Sequence, residues 1–380
     1  MSSLGKKELA VDFVQYESPE KEKKYGAFLL SHDLESPIFI ELCNDDLIRN
    51  IAIDEKGNIQ NDFYKNIASY ELIWKNIIPY LSDYENIYFS GDGLLNQLGI
   101  EYICNESGER ICENYRIHRV FHLANIKRTE GIGNNFVGIG VADHNSPIND
   151  SISIVDRGSW DNLNGIKQEF STIRKSLDAH SECKTLFMID DDAREKRIKE
   201  LDNSSVTALH IATHGFYKDK KELWEAANDS THFDHHISCR ALGANKESLS
   251  GLVLRQGNIS WKSATITDEY DDLLTNDEIE NMTFPNLKLT VLSACDTGLG
   301  DVDSEGVWGL QRAFRIAGTE SLICSLSKIS DKWTAKFMEI FYEEVASGEN
   351  IYDAFHIAQN YLYQKNRRKP EIWSSMILIE

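Results

Sequence analysis

Two short words in this sequence carry groups able to attack a carbonyl. The first is Leu287-Lys-Leu-Thr-Val-Leu-Ser-Ala-Cys-Asp-Thr-Gly-Leu-Gly300, a hydrophobic run that stops at Cys295 and passes at once into glycines. The second is Val206-Thr-Ala-Leu-His-Ile-Ala-Thr-His-Gly-Phe216, an apolar run that ends at His214 and Gly215. A thiolate, not a thiol, is the nucleophile, so a reactive cysteine near neutral pH needs an imidazole or another source of positive potential beside it. The glycine after His214 leaves its backbone N–H unobstructed. Together with the N–H of Cys295, that of Gly215 could form an oxyanion hole, in which each donor contributes roughly 3–4 kcal/mol. A strand-end cysteine by itself reads as a small buried hydrophobe. A histidine placed in the same way on a second strand favours the chemical reading.

Both runs must be held by strands, and the chain around them alternates strand and helix. Phe136–Val141 reads as a strand ending at Ala142-Asp143-His144, followed by a helix with Ile166, Phe170, Ile173 and Leu177 on one face. A strand at Thr185–Ile189 and a charged helix at Asp191–Leu201 lead into the His214 strand. Thr275 and Glu278 have capping-box spacing ahead of the Cys295 strand. A helix at Gly306–Ala317, a strand at Ser321–Leu326, helices at Asp331–Ala346 and Ile351–Gln364 and a strand at Ser375–Ile379 follow. This alternation predicts a mainly parallel sheet flanked by helices on both faces. Reactive groups then gather at the carboxyl ends of the strands. Asp143, His214 and Cys295 all sit at such ends, whereas His210 reads as a core histidine facing inward.

Upstream, residues 1–26 are polar and charged and are expected to be a lead-in or linker. Residues 27–129 form an N-terminal α/β subdomain, with short strands at Ala27–Leu30 and Pro37–Leu42, an amphipathic helix over Phe63–Leu81 and strands at Ile87–Ser90 and Tyr115–Ile126. Asp92, in a Gly-Asp-Gly turn, reads as a turn former. Residues 130–380 then hold the catalytic core. Gly131-Ile-Gly-Asn-Asn-Phe136 lacks the third glycine of a dinucleotide loop and precedes a strand instead of following one, so it is not read as a phosphate site.

Several words resemble one family. Leu209-His-Ile-Ala-Thr-His-Gly215, Leu274-Thr-Asn-Asp-Glu-Ile279, Val291–Gly300, Glu305-Gly-Val-Trp-Gly-Leu-Gln-Arg-Ala-Phe-Arg-Ile-Ala-Gly318 and Trp373–Ile379 resemble, in order, the CHAT domain, a caspase-like cysteine peptidase family. The resemblance implies an α/β caspase-like fold and a cysteine endopeptidase with Cys295 as nucleophile and His214 as its partner, needing no cofactor. It also implies that Asp143, at the end of the first catalytic strand, lines the pocket for the residue before the cut, where an acid favours Arg or Lys. A loop or capping aspartate is the other reading. The family usually has a tryptophan where this chain has Ser327, which leaves substrate preference open. Glu305 reads as a loop contact sooner than as a residue orienting His214. A repeat or sensor module usually controls such domains. None is visible here, so the expected partners are a protein substrate and a regulatory protein, with oligomerisation or cleavage in the long Tyr217–Ser250 loop as other controls, in a bacterial defence or cell-death setting. The alternative is a silent CHAT-fold scaffold that binds peptides without cutting them.

Composition excludes some classes. A formal net charge of −21 and a pI near 5.0 speak against direct nucleic-acid binding and against docking on anionic lipid. Cysteines at 43, 104, 112, 183, 239, 295 and 324 are odd in number and unpaired in spacing, which suits a reducing cytoplasm. No apolar segment approaches the length of a membrane span. His232, His235, His236 and Cys239 match no standard zinc spacing, and Asp268–Asp272 lacks the ligand periodicity of a calcium loop, so no metal is expected and the acidic stretch reads as solvated.

Overall fold

The computed structural model describes residues 4–55, 57–126, 130–144, 160–180, 182–228, 248–262, 270–293, 301–303, 306–327 and 330–380. Contacts divide the chain into two compact units, one of residues 1–128, 302–307 and 365–380, the other of residues 129–301 and 308–364.

The first unit is a mixed sheet. Strand β1 (Glu8–Glu17) pairs antiparallel with β2 (Lys23–Ser31), which pairs antiparallel with β3 (Ile38–Asn44). On its other side β1 runs parallel to β4 (Asn86–Ser90), and β4 to β5 (Arg116–Arg119). The expected lead-in is therefore a strand over residues 8–17. Its apolar positions Leu9, Val11 and Phe13 are fully buried, while flanking charges from Glu8 to Lys24 mask the period-2 signal in the sequence. Asp12, between them, faces the other way and accepts from Ser90 Oγ at 2.5 Å. The single helix expected at Phe63–Leu81 is broken into a 3-10 turn at Asn61–Lys65, an α-helix at Ile67–Ile73 and a second 3-10 turn at Ile78–Tyr80. Pro79 cannot supply the N–H that would carry the helix on. Asp92 does cap a turn: its carboxylate accepts from the N–H of Gly93 and from that of Gln15, both at 2.7 Å. The last strand, Met376–Ile379, pairs parallel with β5, so the chain's final residues belong to this unit and not to the core.

The second unit holds the parallel sheet. It runs β13 (Ser321–Ser325), β12 (Leu289–Ser293), β8 (Ala208–Ala212), β6 (Asn135–Gly140), β7 (Lys184–Ile189), every neighbouring pair parallel. The step from β6 to β7 goes outward and every later step goes the other way. Right-handed crossovers therefore put the helix Ile166–His180 on one face and Glu195–Lys199, Asn276–Glu280 and Leu310–Ala317 on the opposite face. Asp331–Ser347 packs on Ile166–His180. Both side chains that bond His210, Glu169 and Tyr342, come from that helix pair, at 2.9 Å each. A Cβ on Gly140 would lie 2.7 Å from the Phe170 ring, so glycine at this position lets the helix sit close on β6. The mainly parallel sheet with helices on both faces is the fold class expected of a caspase-like chain. Among the described residues no helix is long and apolar enough to cross a membrane.

Between β8 and β12 the chain makes a smaller antiparallel sheet from β9 (His214–Asp219), β10 (Ser248–Val253) and β11 (Leu273–Thr275), in the order β11-β10-β9.

Candidate active site

His214 is placed by a bend between two sheets. Strand β8 is buried throughout and ends at Ala212; after Thr213 the chain enters β9, where His214 pairs with Val253 of β10. The buried Thr213 hydroxyl donates to the carbonyl of the same Val253, so side chain and ladder fix one corner. The His214 imidazole then meets the carbonyl of Asp161, with Nε2 at 2.8 Å. A carbonyl oxygen can only accept, which puts the proton on Nε2 and, in the neutral ring, the lone pair on Nδ1.

The partner strands end at the same level. Ala212 of β8 is the register partner of Gly140 on one side and of Ser293 on the other. His214 and Cys295 each follow their partner in that register by two positions in sequence, and Asp143 follows Gly140 by three. Cys295 itself lies outside the described residues, as do Glu305, Cys239 and the histidines at 232, 235 and 236. Gly215 stands in the β9–β10 ladder opposite Leu252, and β9 is the outer strand of its sheet, so alternate N–H groups along it point away from β10.

Asp143 is tied to a cation. Arg255 Nη1 lies 3.2 Å from its Oδ2 and also donates to its backbone carbonyl, while Arg255 Nε reaches Asp191 Oδ1 at 2.9 Å. The arginine side chain is 9% exposed and the Asp143 carboxylate 40%. Next to it Asp190, at φ 51°, turns its carboxylate back over the end of β6 and accepts from the N–H groups of Ala142 at 2.9 Å and Asp143 at 3.1 Å. Lys167 pairs with that carboxylate at 2.9 Å.

His144 is the residue whose surroundings the sequence does not suggest. It has no solvent exposure, its ring centroid lies 4.9 Å from that of His214, and neither ring nitrogen has a hydrogen-bond partner among the described residues. Burial, reinforced by the neighbouring His214 and Arg255, pushes its pKa down to about 4, so the ring is neutral at neutral pH. Its backbone is pinned: the N–H donates to Asn162 Oδ1 at 2.9 Å, and the carbonyl accepts from Asn258 Nδ2 at 3.0 Å.

Four of the described thiols are held in their neutral form by burial. Cys43 and Cys112 are pushed up to about 12 by burial, and burial raises Cys104 and Cys183 as well. The end of the acidic stretch, expected to be solvated, is internal. Asp271 and Asp272 are buried, and Asp272 accepts from Arg194 Nε at 2.6 Å and from the N–H of Glu195 at 2.8 Å. A buried carboxylate is tolerated because donors and a cation replace its water.

A family model, the CHAT domain, matches residues 68–380. The chain belongs to the CHAT family. No curated protein matches it in sequence. Among solved structures, the Arg specific cysteine proteinase gingipain R (RGPB) is similar over 88% of this chain and 73% of its own at 10% identity, with a TM-score of 0.46. The complex of Porphyromonas gingivalis RgpB pro- and mature domains is similar over 88% and 74% at 12% identity, with a TM-score of 0.45. Likeness at that level decides nothing about chemistry. The CHAT match begins beyond β1, β2 and β3, which are additional to the matched region. Of the residues predicted for the CHAT site, His214 and Asp143 come to one end of the parallel sheet. The Asp161 carbonyl, a main-chain group, has no signature a sequence could display; the signal for His144 is its place next to Asp143 at the end of a strand.

Proposed function

We propose that this CHAT protein is a cysteine endopeptidase in which Cys295 is the nucleophile and His214 the acid–base. The observation that carries the reading is the 2.8 Å contact between His214 Nε2 and the Asp161 carbonyl, which fixes the tautomer of a ring beside a strand end in register with that of β12. In the reaction Nδ1 takes the thiol proton, and Sγ forms a bond to the scissile carbonyl carbon. The oxyanion accepts from the N–H groups of Gly215 and Cys295. As the C–N bond breaks, the imidazolium returns its proton to the leaving amine, and water then hydrolyses the thioester. A backbone carbonyl orients the ring and supports the imidazolium through a dipole without adding a full charge.

Asp143 is the proposed acid for a basic residue before the cut. Its carboxylate serves Arg255 as well, so the substrate cation joins an existing pair. Three carboxylates, Asp143, Asp190 and Asp191, face Arg255 and Lys167 there, which leaves an excess of negative charge. Control by a partner protein, by self-association or by cleavage within residues 217–250, and a setting in bacterial defence or cell death, belong to the same proposal and rest on what the sequence resemblance implies. The test is cleavage of a mixed-sequence peptide library by the wild type and by Cys295→Ala, read by mass spectrometry. Cuts that vanish with the substitution, biased toward Arg or Lys before the cut, are expected. Cuts that persist in Cys295→Ala would end the assignment.

A further inference from the structure

The short stretch from Val253 to Asn258 reaches His214 by two separate routes. Val253 is its ladder partner and accepts from Thr213, which sets the backbone. Asn258, at the start of the helix Gly257–Lys262, reaches the carbonyl that holds the ring. Its Oδ1 accepts from the N–H of Trp160 at 2.9 Å and its Nδ2 donates to the Trp160 carbonyl at 3.0 Å, so one amide side chain grips both polar groups of one residue. The same Nδ2 donates to the His144 carbonyl, also at 3.0 Å. The residue after Trp160 is Asp161, whose carbonyl accepts from His214.

We propose that Asn258 is a positioning residue for His214, acting through the Trp160–Asp161 main chain. The inference rests on the peptidase reading for its purpose, but not for its geometry. A backbone carbonyl can orient an imidazole only if its own segment is held, and a carbonyl on a loose chain would let the ring take either tautomer. Asn258 is 5% exposed and supplies two hydrogen bonds to that segment, with a third to the His144 carbonyl. The stretch that carries it is anchored on the side away from His214. The Leu254 N–H donates to the Asp272 carbonyl at 2.8 Å, the Arg255 N–H to the Ala193 carbonyl at 3.2 Å, and the Gln256 N–H to Asp272 Oδ2 at 3.2 Å. Trp160 adds a ring contact to Phe216 of β9 at 6.3 Å, closing the circuit back to the strand that bears the histidine. One element thus fixes both the main chain and the side chain of His214, and its outer anchor is the buried Asp272.

The test does not need activity. Nitrogen-detected imidazole spectra are recorded on the full chain carrying Cys295→Ala, alone and combined with Asn258→Ala or with Asn258→Asp. The aspartate is isosteric and keeps the acceptor for Trp160 N–H, but it loses both donor bonds. His210, bonded to Tyr342 and Glu169, serves as an internal reference for a folded core. Expected is a single Nε2–H tautomer for His214 in the parent. In both variants its Nε2 proton should exchange at least roughly tenfold faster while the His210 signals stay put. Unchanged His214 signals in both variants would overturn the proposal. So would joint loss of the His210 and His214 signatures in both, since Asn258 would then hold the fold and not the ring. The outcomes separate from those of the peptidase reading: a chain that cuts nothing can still show the exchange effect, and a chain that cuts can lack it. Where it cuts, Asn258→Asp lowers kcat about tenfold or more with little change in KM, the mark of lost orientation.

Discussion

His210, in β8, and His214, at the start of β9, lie four positions apart, yet their surroundings are opposite. His210 has no exposure and both nitrogens are committed, one to Tyr342 Oη and one to Glu169 Oε1, at 2.9 Å each. His214 is half-buried, gives one nitrogen to a main-chain carbonyl, and stands beside His144, an imidazole with no hydrogen-bond partner among the described residues. A histidine spent on two buried side chains is part of the packing; one whose Nε2 meets a main-chain carbonyl has its ring oriented without a buried carboxylate beside that nitrogen. What sorts them is the chemistry of their partners, which follows from where the strand leaves the helix layer.

The largest effect should come from exchanging the two roles. His214→Asn is expected to lower kcat/KM by roughly 10³-fold or more with a denaturation midpoint close to that of the wild type. His210→Ala should do the reverse. It strands the buried Glu169 carboxylate and the Tyr342 hydroxyl, at a cost of about 2–5 kcal/mol in urea unfolding, while the folded fraction keeps its turnover. A His210 variant that melts normally but does not cut would break the distinction.

The distinction is partly legible in the sequence. The even spacing of His210 with the strand's apolar residues marks it as inward, and the glycine behind His214 marks an end. The parallel sheet was equally readable, because Leu209, Ile211, Val291 and Leu292 sit in runs too apolar and too short for anything but strands buried on both faces. What stayed hidden are the features made by pairing between distant segments. Strand β1 alternates correctly, but its charges hid it until β2 and β4 supplied partners on both sides. The helix over residues 63–81 kept its period through a proline that the backbone could not keep. Asp272 lies in an acidic word that reads as solvent-facing, and Arg194 with the N–H groups of Glu195 and Gln256, 78, 77 and 16 positions away, makes its burial possible. The grip of Asn258 on Trp160 is of the same kind.

His144 tests the comparison from a third side, as an imidazole buried like His210 but unpartnered. Its folded pKa of about 4 lies below the ordinary value of 6.5. Between those limits the unfolded chain binds a proton that the folded chain does not, so stability rises with pH across this window and is lost as pH falls from about 6.5 to about 4. Arg255 and His214 oppose protonation there, while Asp143 and Asp190 favour it. Replacing the ring by a neutral one, His144→Phe, should reduce the loss of unfolding free energy between pH 7 and pH 4 by about 3 kcal/mol relative to the wild type. Equal acid sensitivity in both proteins would mean that His144 finds a partner or solvent on protonation, and the contrast with His210 would lose its thermodynamic half.

The smallest effect is expected at Asp143, which shares the strand-end position of His214 but, like His210, already has a partner. Asp143→Asn leaves Arg255 bonded to Asp191 and to the residue 143 carbonyl, and the lost pairing is 40% exposed on the carboxylate side. Urea unfolding should therefore change by less than about 1 kcal/mol. If position at the strand end is what counts, the same substitution should erase the Arg or Lys bias in library cleavage while the cuts themselves persist, because the pocket loses the charge that a substrate cation would share with Arg255. If the bias is unchanged, Asp143 sorts with His210 as a residue whose partners have used it up. Commitment of the side chain, and not its place on the sheet, would then be the criterion that separates structural from chemical residues at this edge.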